Sequence, residues 1–183
     1  EGLYMTASIA MVVSALRLAK KDVLVQNMKC IEALARVDVL CVDKTGTITG
    51  PDMKVEGFVK MDEGISDDTL ETLVGDIVRY QSKDNSTMAA LQEHFTKLSG
   101  REATSVCGFS SKYKYSATCF VEGNFVIGAP EFVLRSDFER YEDYISNISN
   151  KGYRVLAIAQ TSEVPNGGRL EAPARLLGLV FLD

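Results

Sequence analysis

The chain has 183 residues, a length that predicts one domain or one and a fraction. Hydrophobic residues make up 46% and charged residues 25%, and 14 glycines with 4 prolines exclude collagen-like and low-complexity classes. Lys plus Arg is 20 against 25 for Asp plus Glu, a net charge of −5, which argues against a nucleic-acid partner. The first residue is Glu1 rather than Met, and Asp183 follows directly on an apolar strand-like run, so a piece of a longer protein is expected.

Residues 2–16 carry no charge for 15 residues, and Arg17, Lys20 and Lys21 follow. A membrane span needs about 20 apolar residues, so this stretch is short of one by itself. No basic region precedes it, so it is not a signal peptide. Two readings stand: a buried helix, or the second half of a transmembrane helix whose basic flank faces the cytoplasm. Residues 18–36 read as a helix or stalk of mixed charge. Val37 to Val42 is a short β-branched run, expected as a buried parallel strand that delivers the polar loop Asp43-Lys44-Thr45-Gly46-Thr47 at its carboxyl end. Gly50-Pro51 is a breaker pair and the natural place for a linker.

Beyond it the pattern turns to α+β. Met53 to Val59 alternates as a strand. Asp67 to Ser82 reads as a helix with Ser66 at its N-cap and Leu70, Leu73, Ile77 and Tyr80 as its apolar stripe. Thr87 to Leu98 is a second helix, with His94 on its polar side. Strands are expected at Ser105–Phe109, Ser116–Val121 and Asn124–Ile127, with Gly123-Asn124 as the turn between the last two. Pro130-Glu131 opens a short helix and Phe138 to Ile148 continues helically; Tyr153 to Gln160 and Leu176 to Leu182 are strands. The four cysteines, Cys30, Cys41, Cys107 and Cys119, form no C-x-x-C pair, and with a single His they exclude a zinc-thiolate site; buried, reduced thiols are expected. The sum is an antiparallel sheet with helices, inserted after a strand–loop unit.

Asp43 sits where open α/β sheets place reacting groups, past the carboxyl end of a buried strand. A carboxylate there can attack phosphorus and form an aspartyl-phosphate. That chemistry asks for positioning and charge neutralisation, and the loop offers an ammonium (Lys44), two hydroxyls (Thr45, Thr47) and a glycine that admits backbone N–H groups close to phosphate. The carboxylate of Asp43 and the carbonyl of Thr45 are the hard oxygen donors that Mg²⁺ takes. Phosphatases with an aspartyl nucleophile commonly carry a second Asp two residues on, as acid for an alkoxide leaving group. Thr45 stands there instead, which suits a donor with a good leaving group such as ADP and a phospho-enzyme that persists.

Asp43-Lys44-Thr45-Gly46-Thr47-Ile48-Thr49 resembles the phosphorylation signature of the P-type cation-transporting ATPases, within the haloacid dehalogenase superfamily, at all seven positions. The resemblance implies that Asp43 is the phosphorylated residue, that Lys44 and Thr47 contact the phosphoryl group, and that Thr45 lends its carbonyl to Mg²⁺. Glu1-Gly2-Leu3, 42 residues before Asp43, resembles part of the Pro-Glu-Gly-Leu of the fourth transmembrane helix of calcium, sodium/potassium and related pumps, which implies Glu1 as a ligand of the transported cation. The Cys-Pro-Cys of heavy-metal pumps is absent from the sequence.

The later segment Phe109-Ser110-Ser111-Lys112-Tyr113-Lys114 supplies a ring and two nearby ammoniums, features of an adenine site and equally of an edge strand with a solvated face. It resembles the family segment in which a Phe stacks on adenine and a Lys five residues on reaches the nucleotide, roles that fall to Phe109 and Lys114. Ile127-Gly128-Ala129-Pro130-Glu131 resembles the family's Lys-Gly-Ala-Pro-Glu with Ile127 in place of the Lys, so Gly128 keeps the close approach while one cation is lost. Gly152 to Ala157 resembles the segment whose Arg lies near the phosphates, here Arg154. In Asp84-Asn85-Ser86-Thr87-Met88, Met88 occupies the place of an acidic pocket residue, and Asn85 and Ser86 are carried as polar neighbours of the ligand.

The resemblance implies a fold and a function. The fold is an antiparallel-sheet nucleotide-binding domain with flanking helices, inserted in a partial Rossmann-like α/β phosphorylation domain. The divisions are 1–21 for the end of a transmembrane helix and stalk, 22–51 for the first part of the phosphorylation domain, 52–174 for the nucleotide-binding domain and 175–183 for a return strand and hinge. The function is that of an ATP-driven pump, with calcium the first choice of ion and magnesium or a monovalent cation the second. Its substrate is ATP with Mg²⁺ and its product ADP. Its place is the cell membrane through several spans, with this stretch mostly on the cytoplasmic side. Two alternatives stay open: a nucleotide-binding module only, and a soluble aspartyl-phosphate-forming phosphatase with a cap domain.

Overall fold

The computed structural model describes residues 2–42 and 53–183. The chain divides into two compact units, Glu1–Thr49 and Gly50–Asp183.

The first unit holds helix α1 (Gly2–Ala19) and the short helix α2 (Lys29–Leu34). α1 has 18 residues, a mean hydropathy of 1.5 and no buried residue, so the buried-helix reading of this stretch does not hold within the described structure. At 1.5 Å per residue α1 is about 27 Å long, close to the ~30 Å of a bilayer's hydrocarbon. Its serine and threonine hydroxyls are satisfied within the helix: Thr6 Oγ1 donates to Leu3 O at 2.9 Å, Ser8 Oγ to Tyr4 O at 2.9 Å and Ser14 Oγ to Ala10 O at 2.8 Å. Such back-bonding is what a polar side chain needs in apolar surroundings. Residues 37–42 do not form the expected strand; they carry no regular secondary structure and are exposed. A strand exists only against a ladder partner, and among the described residues every paired strand lies in the second unit.

The second unit is built on a six-stranded sheet in the order β1-β6-β5-β4-β3-β2, every neighbour antiparallel. The strands are β1 (Val55–Lys60), β2 (Ala103–Ser110), β3 (Tyr115–Phe120), β4 (Gly123–Gly128), β5 (Arg154–Thr161) and β6 (Arg175–Leu182). The turn between β3 and β4 is Val121-Glu122, and Gly123 already pairs with Phe120. β6, expected as a return strand leaving this domain, lies between β1 and β5 and pairs with both. Its sequence explains the placement. Leu177, Val180 and Leu182 enter one core and Leu176 and Leu179 the other, as an interior strand apolar on both faces must.

Helices cover both faces. α3 (Asp67–Arg79) and α4 (Ser86–His94) close one side, and α5 (Pro130–Val133), a 3₁₀ turn (Arg135–Arg140) and α6 (Glu142–Ser149) contribute to the other. α3 begins as its sequence predicts: Ser66 Oγ accepts from Thr69 N at 3.1 Å, and Leu70, Leu73, Val74 and Ile77 are buried. Side chains reach carbonyls in its last turn and just beyond it. Gln92 Nε2 donates to Val78 O at 2.7 Å and Gln81 O at 2.8 Å, and Thr118 Oγ1 donates to Ile77 O at 3.0 Å. α4 stops at His94, short of the expected Leu98, because Phe95 leaves helical geometry and buries its ring 5.5 Å from Phe58. His94 itself is exposed, as expected.

The chain then crosses back over α3 at Gly75, where an added Cβ would lie 2.1 Å from Lys97 O, so only glycine admits this contact. Beside it Asp76, fully buried, accepts from Ser99 N at 3.0 Å, Ser99 Oγ at 2.5 Å and Arg101 Nη1 at 2.9 Å. This cluster fixes the segment that enters β2. Of the cysteines only Cys119 is buried; Cys107 is half-buried, and Cys30 and Cys41 are exposed, against expectation. Both exposed thiols lie in the first unit, where α2 buries nothing and residues 37–42 pack on nothing described.

Candidate nucleotide site at one end of the sheet

Antiparallel register gathers most of the candidate residues. Ser110 pairs with Tyr115, Tyr115 with Gly128, Gly128 with Ala157, and Arg154 with Leu182. The end of β2, the start of β3, the end of β4 and the start of β5 therefore share one end of the sheet, and Phe109, Lys114, Gly128 and Arg154 lie there together. With about 4.8 Å between strands, β2 and β5 are about 14 Å apart, the scale of an extended nucleoside triphosphate.

Phe109 is 53% exposed, in the irregular stretch of β2 between Cys107 and Ser110 where the register slips by one residue. A bulge on an edge strand re-aims a side chain, and here an aromatic ring is left in solvent, available for stacking. Lys114 closes the β2–β3 turn with φ +53°, a left-handed backbone that a non-glycine residue seldom takes. The turn is held by Lys114 N donating to Ser110 O at 2.7 Å, and Lys114 O accepts from Ala129 N at 2.9 Å, which ties the loop after β4 to the hairpin. The Lys114 ammonium is exposed.

Packing inside the sheet already requires glycine at 128. A Cβ there would meet Lys114 O at 2.4 Å and Tyr115 Cβ at 2.5 Å. The missing side chain makes room for β3. Gly128→Ala is therefore expected to lower stability by about 1–3 kcal/mol, as overpacking does, and to loosen the β2–β3 turn. Urea unfolding of the variant measures it; an unchanged midpoint would mean that β3 and β4 separate freely. Tyr115 is held on its far side, its hydroxyl donating to Gly168 O at 2.7 Å, and burial pushes its phenol above its usual value.

Arg154 opens β5 with an exposed side chain, and Nη1 donates to Thr87 Oγ1 at 2.8 Å. That bond brings the start of α4 to the same place. Asn85 is the N-cap of α4, its Oδ1 accepting from Met88 N at 2.8 Å, and Ser86 is the first helical residue. The carboxamide oxygen of Asn85 is thus engaged in the helix, and at this corner Asn85, Ser86 and Arg154 are exposed and Thr87 is half-buried. Met88 is buried among α3 and the sheet, and Ile127 is equally enclosed in the same core. An acid at 88 and a lysine at 127 are absent, and the apolar residues present are absorbed by the core.

Asp43, Lys44, Thr45 and Thr47, with Glu1, lie outside the described residues. Two clefts occur elsewhere on the second unit. One of about 860 Å³ is lined by Tyr113, Tyr115, Phe132, Arg135 and Arg169 among others, and one of about 360 Å³ by Asp62, Asp137, Arg140 and Arg175 among others. Neither contains Phe109, Lys114, Gly128 or Arg154. Thr87 and Met53 were not singled out from sequence as part of the site. Thr87 falls within the polar stretch 84–88, but only the fold shows that an arginine 67 residues later reaches it.

No protein-family model matches the chain. Among curated proteins, the "Calcium-transporting ATPase CtpE" of Mycolicibacterium smegmatis is 37% identical over 183 residues, spanning 98% of this chain and 22% of that protein. The "Calcium-transporting ATPase CtpE" of Mycobacterium tuberculosis is 33% identical over 184 residues, and the "Probable cation-transporting ATPase exp7" of Streptococcus pneumoniae 29% identical over 184 residues. The chain spans under a quarter of the length of these relatives, 22% to 23%. Among solved structures, the catalytic CPx-ATPase domain CopB-B superposes with a TM-score of 0.55 at 13% identity, covering 92% of this chain and 51% of that one. A zinc-transporting PIB-type ATPase superposes with a TM-score of 0.53 at 20% identity, covering 95% of this chain and 26% of that one. These likenesses are of fold alone, and the fold they share is the six-stranded antiparallel sheet with flanking helices. Sequence along the whole chain and the architecture of its second unit agree: the chain belongs to the P-type cation-transporting ATPases.

Proposed function

We propose that this chain is the nucleotide-binding and phosphorylation-loop part of an ATP-driven cation pump, and that the whole protein transfers the γ-phosphoryl group of ATP to Asp43 and couples that step to ion transport. The observation that supports the nucleotide half is that an exposed aromatic, Phe109, and two cations, Lys114 and Arg154, lie at the same end of the sheet. Phe109 stacks on the adenine, Lys114 and Arg154 face the phosphates, and Ser86 lies beside them at the start of α4. Asn85 contributes by capping that helix.

In the transfer, a carboxylate oxygen of Asp43 forms a bond to the γ-phosphorus. The bond from that phosphorus to the bridging oxygen breaks, and ADP leaves with the electron pair. Lys44 and Thr47 hold the phosphoryl oxygens. Thr45 in place of a second Asp leaves no acid–base group to hasten hydrolysis, so the acyl phosphate persists long enough to drive a conformational change. Among the described residues no group of three or more His, Cys, Asp or Glu side chains forms a metal site. The Mg²⁺ assignment therefore rests on the donor chemistry of Asp43 and the Thr45 carbonyl, which are the hard oxygens this ion takes. When bound, Mg²⁺ offsets the negative charge on the transferring group.

The names of the CtpE relatives support calcium as the transported ion, with Glu1 as one of its ligands. α1 with its basic flank of Arg17, Lys20 and Lys21 supports a place in the cell membrane, with the second unit on the cytoplasmic side. The proposed divisions are 1–21 for membrane helix and stalk, 22–51 for the start of the phosphorylation domain, and the sheet unit, now including 175–182, for nucleotide binding. A soluble phosphatase fits neither Thr45 nor α1.

ATP titrated into the 183-residue chain, followed by NMR chemical shifts, tests the nucleotide half. Binding is expected nearer millimolar than micromolar, about −4 to −6 kcal/mol, given the apolar Ile127. Phe109→Ala is expected to cost on the order of 1–3 kcal/mol, the worth of a base–aromatic stack. An affinity unchanged by that substitution would remove Phe109 from the site.

A further inference from the structure

We propose that Thr87 is the positioning residue for Arg154, holding the guanidinium at the phosphate end of the nucleotide site; this rests on the nucleotide reading above. The backbone of Arg154 is fixed by its pairing with Leu182, but its side chain is exposed and has many rotamers. Thr87 Oγ1 accepts from Arg154 Nη1 at 2.8 Å. The same hydroxyl donates to Met53 Sδ at 3.1 Å. A thioether can only accept, so the one hydroxyl proton of Thr87 is directed to Met53 and its lone pairs are left for the arginine.

Thr87 is itself held. Asn85 caps the first turn of α4, and the helix is anchored by Met88, Ala90 and Leu91 in the core. A continuous path therefore runs from the core through α4 to Thr87 and from Thr87 to Arg154. One guanidinium nitrogen is engaged by threonine, and the donors on Nη2 and Nε remain for phosphate oxygens. Without the hydroxyl, Arg154 returns to its full set of exposed rotamers, and a ligand must order it on binding.

The effect is confined to ligands that carry phosphates. ATP and adenosine are titrated into the 183-residue chain and into Thr87→Val, Thr87→Ser and Arg154→Ala. Thr87→Val is expected to weaken ATP about threefold to tenfold and to change adenosine by less than about twofold. Thr87→Ser, which keeps the hydroxyl, restores ATP affinity. Arg154→Ala weakens ATP at least as much as Thr87→Val, and the double variant is no weaker than Arg154→Ala alone. If Arg154→Ala weakens ATP and Thr87→Val does not, the Thr87 proposal falls and the nucleotide reading stands. If Arg154→Ala binds ATP as the parent chain does, Arg154 leaves the site and both fall. Equal weakening of ATP and adenosine by Thr87→Val marks a structural role for Thr87 and overturns the proposal. Should Thr87→Val fail to fold, Thr87→Ala carries the test: it removes the hydroxyl that accepts from Arg154, so ATP weakens and adenosine does not, and an unchanged ATP affinity overturns the proposal.

Discussion

Asp43→Asn in the full-length protein is expected to abolish the acid-stable, hydroxylamine-labile phospho-enzyme formed from ATP and Mg²⁺. The wild-type protein is expected to accumulate it, because on the proposed reading Thr45 supplies no acid or base to speed hydrolysis, whereas a phosphatase with a second Asp turns its intermediate over. An amide is no nucleophile toward phosphorus: its nitrogen lone pair is delocalised and the carboxylate charge is gone. Labelling should fall from near stoichiometric to background, while ATP binding at the sheet is retained, since Phe109, Lys114 and Arg154 are untouched. Labelling with radioactive ATP, acid precipitation and hydroxylamine treatment measure it. Persistent labelling in the variant would move the acceptor to another residue.

Asp76→Ala is expected to give the largest loss of stability in the sheet unit, about 3 kcal/mol or more. The carboxylate is fully buried and accepts three hydrogen bonds, two from Ser99 and one from Arg101. Truncation leaves the Ser99 N–H, its hydroxyl and a guanidinium nitrogen without their acceptor. The Arg101 side chain is 28% exposed and lies 3.9 Å from Glu122, so water and that carboxylate recover part of the loss. This places the expected value at the lower end of the range for breaking a buried pair. Ser99→Ala, which removes one donor and leaves the pair, should cost only about 1 kcal/mol. Urea midpoints of the two variants compare them directly; equal losses would show that the ion pair adds nothing beyond the serine contact. Because this cluster holds the segment entering β2, the exchange protection of β2 amides should fall first in Asp76→Ala.

Much of the second unit was legible in its local sequence. The Ser66 cap and the 3.6-residue spacing of Leu70, Leu73 and Ile77 predict α3, and the structure bears both out. The strands at 103–110, 115–120, 123–128, 154–161 and 175–182 match β-branched and apolar runs, because a pleated, buried surface selects those residues directly. The resemblance of residues 43–49 points to the family without any knowledge of the fold, since seven matched positions carry a specific chemistry. The reason for Gly128 was not legible: close approach to a ligand and close approach of a neighbouring strand ask for the same residue, and only register shows that β3 occupies the space.

What the sequence by itself determined is the set of elements and the chemistry of single residues: a capped helix, apolar runs of strand length, a carboxylate beside an ammonium, two hydroxyls and a glycine, an aromatic beside lysines. These depend on neighbours within a few positions of the chain. What only the tertiary structure decided is pairing. Sequence spacing could not place β6 between β1 and β5, or deny residues 37–42 a ladder among the described residues, because a strand is made by its partner. Nor could it show that Gly75 admits Lys97 O, or that Thr87 meets Arg154 across 67 positions, because those contacts are set by how a helix is pressed on a sheet.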